Sequence, residues 1–338
     1  MKVLVLGYFG YKTNQLDGQT VKTREIYRLL ATRFNNIPVD YFDTQQFKYS
    51  KFSFFTLLKK LLACKTLVYL PASKNLQYIF PIIFIISKLW GMQIIYPIVG
   101  GWLAEWLDNK PLHVFMLKHI SVLLSEIPTL CEQLKERYNI NNTDILTNFR
   151  PKPKYKEIPP HKEFRIVFMA RVCEEKGIYS ILQFAKYFND NKIETDRPLT
   201  ITFYGGIAEK DKTKFLSSIK EFKNVKYGGI IDREQIIPTL QDFDLMLLPS
   251  FYKGEGLPGS IVEAYFAGIP VIVSNWKFLP EFVEHGKTGF VFNLNCEQEL
   301  YKKPELLTEM KKNSHLKSLA YTEENAITIL NKYIQNPR

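Results

Sequence analysis

The chain has 338 residues, a formal net charge of +11 and 46% hydrophobic residues, which is enough for two domains with packed cores. The histidines are scattered and the four cysteines lack paired spacing, which argues against a metal site and a disulfide framework. No nucleic-acid-binding motif accompanies the positive charge, so we expect no nucleic-acid partner. The cysteines, expected to be reduced thiols, are Cys64, Cys131, Cys173 and Cys296.

The first half of the chain is predicted to alternate strands and helices. Residues 1–7 form too short an apolar run for a signal peptide and are typical of a first strand, so we expect a cytoplasmic protein. A loop containing Gly18 follows, and then a helix from about residue 20 to residue 33. Further strands are predicted at 66–70, 93–99 and 122–125. Such alternation favours parallel pairing in a doubly wound sheet.

Two apolar segments of the first half raise the question of membrane contact. Residues 48–65 mix five Lys with seven large apolar residues, which fits either a helix on an anionic bilayer or a surface helix that covers the sheet. Residues 76–86 are too short to span a membrane and contain Pro81, so we expect a buried helix. Residues 1–150 carry 18 Lys/Arg and 10 Asp/Glu, which favours an anionic membrane or a phosphorylated ligand as partner.

The second half begins after a predicted linker. Residues 149–162 hold four Pro and five Lys/Arg, and a second α/β unit is predicted to start at Phe164. Its strands are expected at 165–170, 199–204, 225–227, 244–248 and 270–273, followed by a helix over 323–334.

Arg171 and Lys176 follow the predicted strand at 165–170, with Gly177 next to the lysine. An arginine can clamp phosphate oxygens with two parallel hydrogen bonds, and a lysine adds a point charge. Alone, this pattern is typical of an ordinary charged loop. Together with Glu255 and Glu263 further along the chain, the pattern favours a phosphate-binding site.

Glu255 and Glu263 are the most informative residues, because they lie on a glycine-rich turn and on the helix that the turn opens. The buried strand predicted at 243–249 precedes them. Pro258 suits the first helical position and Gly268 the helix end. A helix N-terminus attracts anions, whereas a carboxylate beside it accepts hydrogen bonds from hydroxyl groups. A ligand with phosphate and hydroxyl groups, such as a nucleotide-sugar, fits both.

The second half resembles glycosyltransferase family 4, in order from about residue 164 to residue 292. Arg171 and Lys176-Gly177 stand where that family places its phosphate-binding residues. The other matching segments are Pro249-Ser250, the run from Glu255 to Glu263, Ala267-Gly268-Ile269-Pro270-Val271-Ile272, Pro280-Glu281 and Glu284-His285-Gly286-Lys287-Thr288-Gly289-Phe290. In the first half, no His lies near Gly100-Gly101-Trp102, where many family members have one, which leaves the acceptor contacts open.

The resemblance implies the α/β GT-B fold, in which two Rossmann-like, doubly wound domains have a cleft between them. Residues 1–150 would be the acceptor domain, completed by a C-terminal helix within 321–338. Residues 151–320 would be the nucleotide-sugar donor domain. The family retains the anomeric configuration of the sugar, so we expect a retaining enzyme, and it needs neither a metal nor a cofactor.

The resemblance also implies roles for individual residues. Glu255 would hold sugar hydroxyls nearest the reacting centre, and Glu263 would bind the ribose. Arg171 and Lys176 would hold the diphosphate. The remaining donor-binding residues would be Gly18, Gly256, Leu257, Pro258, Gly259 and Ser260.

We therefore predict a retaining glycosyltransferase that moves a sugar, with a UDP-sugar favoured, to a glycan or lipid-linked acceptor. Synthesis of a bacterial surface polysaccharide, by an enzyme peripheral on the inner face of the membrane, is the expected setting. One alternative is an NAD-dependent dehydrogenase, because Gly254-x-Gly256-x-x-Gly259 spells a dinucleotide fingerprint. Another is a non-catalytic protein that binds sugar nucleotides. Asp242-Phe243-Asp244 spells a metal-binding pattern of a different glycosyltransferase fold, but we expect Asp244 to be structural.

Overall fold

The computed structural model describes residues 2–13, 17–34, 36–153, 161–190, 197–292 and 304–335. The chain divides into two compact units, Met1–Asn148 with Glu323–Arg338, and Phe149–Thr322. Cys296 and residues 154–160 of the predicted linker lie outside the described residues.

The first unit is built on a parallel sheet. Its described strands are β1 (Val3–Gly7), β2 (Val39–Asp43), β3 (Thr66–Leu70), β4 (Gln93–Pro97), β5 (Val122–Ser125) and β6 (Thr143–Ile145). They lie in the order β2-β1-β3-β4-β5-β6, so β1 and β3 are central and fully buried.

Helices connect these strands on both faces of the sheet. They are α1 (Gly18–Arg33), α2 (Ser53–Ala63), α3 (Ser73–Tyr78), α4 (Phe80–Trp90), α5 (Leu103–Trp106), α6 (Pro111–Lys118) and α7 (Pro128–Tyr138). The connection from β1 to β2 moves along the sheet in one direction. The connections from β2 to β3, from β3 to β4 and from β4 to β5 move in the opposite direction. Because crossovers between parallel strands are right-handed, α1 covers one face and α2, α4 and α6 cover the other.

The second unit repeats this architecture. Its described strands are β7 (Phe164–Met169), β8 (Leu199–Tyr204), β9 (Val225–Gly229), β10 (Leu245–Leu248), β11 (Val271–Ser274) and β12 (Gly289–Phe292), in the order β12-β11-β10-β7-β8-β9. Its helices are α8 (Ile178–Asp190), α9 (Glu209–Ile219), α10 (Ile236–Leu240), α11 (Gly259–Ala267) and α12 (Pro304–Ser318).

The last helix, α13 (Glu323–Ile334), belongs to the first unit. At its start, the buried carboxylate of Glu323 accepts a hydrogen bond from Arg28 of α1. Near its end, Asp144 of β6 accepts from Lys332 Nζ at 2.8 Å and from Tyr333 Oη at 2.7 Å. Burial by itself would raise the pKa of Asp144, but these two donors hold it below its ordinary value. Polar contacts at both ends therefore tie α13 to the unit.

The prediction of two doubly wound, Rossmann-like α/β units is confirmed, and the strands named above all pair in parallel. Three strands went unpredicted: β2, β6 and β12. In β2 (VDYFD), at the sheet edge, aspartates interrupt the apolar residues, and β6 has three residues, so neither shows the long apolar run of a buried strand.

The expectation of a buried helix over residues 76–86 is wrong. Pro81 lies in the first turn of a new helix, α4, where its missing N–H is not needed. One side of α4 packs Phe80, Ile83 and Phe84 into the core, whereas the other side leaves Ile85 59% and Leu89 71% exposed. No helix in the described part of the chain is both long and apolar enough to cross a membrane.

Gly177 allows two loops of the second unit to meet. Because β7 and β10 are neighbours, the loops that follow them start at the same edge of the sheet. Gly177 has φ +80°, and a Cβ atom there would lie 2.1 Å from the carbonyl oxygen of Pro249. Only glycine fits both this backbone conformation and this approach.

We expect Gly177→Ala to lower the free energy of unfolding by about 2 kcal/mol or more, because left-handed strain and overlap with Pro249 add together. Gly286→Ala is the matched control. Gly286 has a similar φ of +78°, but a Cβ there would meet no atom within 4 Å. Urea unfolding should give a loss of only about 1 kcal/mol for this control. Equal losses in the two variants would contradict the role given to the contact with Pro249.

Candidate functional site

The strongest candidate site is a largely buried ion pair in the second unit. Lys176 Nζ donates to both Oε1 and Oε2 of Glu255, each at 2.7 Å. The side chains of Lys176 and Glu255 are 14% and 5% exposed. Ser250 Oγ is also hydrogen-bonded to Oε2 of Glu255. The two residues are 79 positions apart in the chain, so the fold brings together two separately predicted site residues.

Backbone contacts hold the two loops that carry this pair. The amide of Phe251 donates to the carbonyl of Glu175 at 2.8 Å, and Ser250 Oγ lies 3.3 Å from the same oxygen. Trp276, which follows β11, donates from Nε1 to the carbonyl of Tyr252 at 2.9 Å. Hydrogen bonds to the backbone therefore hold the loops that carry Lys176 and Glu255.

The N-terminus of α11 lies directly after this loop. Pro258 has ψ 130° and is the N-cap, so the prediction that it occupies the first helical position is wrong by one residue. Its extended ψ angle keeps it outside the helix, which begins at Gly259. Pro258 has no side-chain oxygen to accept from the first amides of the helix. Gly268 ends α11 with φ 72°, as predicted.

Glu263, on the first full turn of α11, pairs with Arg150. Its Oε1 accepts from Nε at 2.9 Å and from Nη2 at 2.7 Å, and the two side chains are 9% and 10% exposed. Arg150 also lies under Gly259, where an added Cβ would come within 2.6 Å of Nη2. One arginine thus fixes Glu263 and lies against the start of the helix, where a larger residue than glycine would displace its guanidinium.

Arg150 is a site residue that the sequence reasoning missed. It was counted among the charges of the predicted linker, but its amide donates to the carbonyl of Tyr321 at 3.0 Å and the neighbouring Phe149 is 2% exposed. The linker prediction is therefore wrong for Phe149 and Arg150, which belong to the packed second unit. No local pattern in the sequence marks Arg150, because its partner is 113 residues away.

The other predicted site residues are not members of these two ion pairs. Arg171 follows β7, and its side chain is exposed. Gly256 and Leu257 are buried beside Glu255, and Ser260 is half-buried in the first turn of α11. Gly18 lies in the first unit, as the first residue of α1, after the N-cap Asp17 that accepts from Thr20 N at 2.9 Å.

A further buried ion pair lies in the first unit and was also missed. Lys22 Nζ of α1 donates to Oε2 of Glu126 at 2.8 Å, with the two side chains 3% and 4% exposed. The amide of Gly100 lies 3.4 Å from Oε1 of Glu126. Glu126 therefore connects α1 to the Gly100-Gly101 loop, at the carboxyl edge of the sheet.

Asp244 is structural, as predicted. It is 2% exposed and accepts from the amide of Arg165 at 3.0 Å and from Lys311 Nζ at 2.8 Å. Within the described ranges, no group of three or more His, Cys, Asp or Glu side chains is arranged to hold a metal ion.

Comparison with known proteins identifies the family of the chain. The family model described as glycosyl transferases group 1 matches residues 150–327, more than half of the chain. The match begins at Arg150 and includes Lys176, Glu255 and Glu263.

Two curated relatives align with parts of the chain. One is the amylovoran biosynthesis glycosyltransferase AmsK of Erwinia amylovora, 30% identical over 39% of this chain and 32% of the relative. The other is an alpha-monoglucosyldiacylglycerol synthase of Acholeplasma laidlawii, 28% identical over 48% of this chain and 41% of the relative. The alignments thus span less than half the length of either relative.

Among solved structures, Anabaena HepE in complex with UDP and glucose matches with a TM-score of 0.73 at 14% identity, over 99% of both chains. This likeness shows the fold, which is that of GT-B proteins. With the family match over the second unit, it follows that the chain belongs to the group 1 family of glycosyl transferases.

Proposed function

We propose that the protein is a retaining glycosyltransferase that transfers a sugar from a nucleoside-diphosphate sugar, most simply a UDP-sugar, to a hydroxyl group of an acceptor. The observation that carries the proposal is the largely buried Lys176–Glu255 pair beside the N-terminus of α11. Membership of the family supports the activity. The UDP and glucose named with HepE support the donor class.

The pair resolves a conflict at the donor site. A lone carboxylate next to the N-terminus of α11 would repel a diphosphate, but Lys176 offsets its charge. A lysine ammonium has three donors, and Glu255 takes two of them, which leaves one for a phosphate oxygen. Glu255 in turn keeps acceptor capacity for sugar hydroxyls, and Arg171 adds a second cation from the loop after β7.

In the reaction, the bond between the anomeric carbon and the diphosphate oxygen breaks, and a bond from that carbon to the acceptor oxygen forms on the same face. The departing phosphate oxygen takes the proton of the acceptor hydroxyl. The leaving diphosphate gains negative charge, which Lys176, Arg171 and the first amides of α11 stabilise in place. The protein thus acts by positioning and by charge stabilisation, and the proposal needs no metal or cofactor.

Glu263 is proposed to bind the ribose hydroxyls. Arg150 donates two hydrogen bonds to Oε1 of Glu263. No protein group in the described residues donates to Oε2. That oxygen is left to accept from a hydroxyl pair. Arg150 is then a positioning residue, because it acts on the ligand through Glu263.

The acceptor is proposed to be a glycan or a lipid-linked glycan of bacterial surface polysaccharide synthesis, used at the inner face of the membrane. The basic first half of the chain supports a peripheral, cytoplasmic position there. The named role of AmsK in amylovoran biosynthesis supports the pathway class.

Ligand binding tests the donor class directly. We expect UDP to raise the melting temperature in the presence of excess EDTA, because a ligand at about 100 times its dissociation constant adds roughly 2.7 kcal/mol of stability. GDP and ADP are the matched nucleotides, and NAD tests the dehydrogenase alternative. Stabilisation by NAD alone would overturn the proposal. Binding of UDP without transfer to any acceptor would favour the non-catalytic alternative.

We expect Lys176→Ala and Glu255→Ala each to reduce turnover about 100-fold or more, the scale of losing one charge-stabilising group. Lys317→Ala and Glu284→Ala are matched controls, because they remove a second Lys–Glu pair of the same unit that is more exposed. Turnover of a UDP-sugar, measured as UDP release, should be nearly unchanged in the controls. Near-normal turnover in either site variant would contradict the roles assigned here.

A further inference from the structure

Helix α4 is apolar on both sides, which is unusual for a helix at the surface of a domain. Phe80, Ile83 and Phe84 face the core, while Ile82, Ile85 and Leu89 are exposed on the other side. A surface helix is ordinarily polar on its outer side. The outer side of α4 therefore matches an apolar environment rather than water.

The neighbouring helices of the same layer continue this surface. The rings of Phe84 and Phe115 lie 6.4 Å apart, which places α6 beside α4. We call the outward side of α2, α4 and α6 the apolar face. Its exposed side chains, together with Phe52 just before α2, are Phe54, Phe55, Leu62, Ile82, Ile85, Leu89, Trp90, Leu112 and Phe115. On the opposite side of the sheet, α1 exposes no large apolar side chain in the described residues.

The segment that carries α2 and α4 is basic, with Lys60 paired to Asp40 of β2 at 2.7 Å. Residues 44–104 contain seven Lys and neither Asp nor Glu, and α6 contains no acidic residue. This complements an anionic surface, towards which lysines can extend while their stems stay on apolar surface. Docking of a second copy through the same face would instead bring lysines against lysines. Charge thus favours an anionic bilayer over self-association.

A cavity of about 580 Å³ lies at the C-terminal end of α4. Lys65, Lys88 and His119 line it, and no acidic side chain does. Lys88 Nζ donates to the carbonyl of His119 at 2.6 Å, which uses one of its three donors. Leu89 and Trp90 of the apolar face directly follow Lys88 in the chain. An anionic lipid headgroup would therefore find cations in the cavity, while the apolar chains of the same lipid lie along α4.

We propose that the apolar face docks on an anionic lipid bilayer, with α4 at the centre of the contact and the basic cavity holding a lipid phosphate headgroup. The inference rests on the proposed function, because docking would give the enzyme access to a lipid-linked acceptor. Its test measures binding alone, so it can fail or succeed independently of sugar transfer.

The test is co-sedimentation with vesicles of phosphatidylcholine, with and without phosphatidylglycerol, at low and high salt. We expect binding to the phosphatidylglycerol vesicles at low salt only. The double variant Ile85→Asn/Leu89→Asn should weaken it about tenfold or more, because two apolar side chains no longer enter the lipid. Lys88→Gln should weaken it about fivefold, the scale of one cation near an anionic surface.

Ile230→Asn is the matched control, because Ile230 is 70% exposed but lies in the second unit. Its vesicle binding should equal that of the wild type, and the response of melting temperature to UDP should be the same in all variants. The proposal is overturned if the wild type stays unbound, or if Ile230→Asn loses as much binding as the α4 variant. It is also overturned if the wild type forms dimers in solution that Ile85→Asn/Leu89→Asn abolishes while vesicle binding persists.

Discussion

The largely buried pair of Lys176 and Glu255 is the interaction on which the rest of the candidate site depends. Burying either charge alone would cost several kcal/mol, whereas the pair satisfies both through two hydrogen bonds of 2.7 Å. In the proposed function, the lysine brings the surroundings of the N-terminus of α11 close to neutral, so that a diphosphate can approach the helix amides. The sugar hydroxyls and the phosphate of the proposed donor would then be recognised within a single small group of residues.

The sheet topology of the second unit makes this pair possible. Because β7 and β10 are adjacent, residues 79 positions apart emerge at the same edge, and Gly177 lets their loops touch. Arg150 and Glu263 form a second buried pair one turn further along α11. The residues proposed to bind the donor are therefore held by backbone contacts and ion pairs within one unit.

Local patterns predicted much of this arrangement. Apolar runs located the central strands, and the glycine-rich turn before an apolar helix located Glu255 and Glu263. Contacts between distant residues could not be predicted in this way. Arg150 carries no periodic or motif signal, and the pairing of Lys22 with Glu126 depends on the packing of α1 over the sheet. The exposure of α4 was missed for a related reason, since a helix that is apolar on all sides looks the same in sequence whether or not a further layer covers it.

The most direct test of the central claim is a double-mutant cycle on UDP affinity, measured by calorimetry for the wild type, Lys176→Met, Glu255→Gln and the double variant. If the lysine offsets the carboxylate at the donor site, Lys176→Met alone leaves a repelling charge, and removing that charge in the double variant should restore part of the affinity. We predict a coupling energy of about 1–3 kcal/mol. Losses that add to within about 0.5 kcal/mol would contradict the account, because the two residues would then act on the ligand independently.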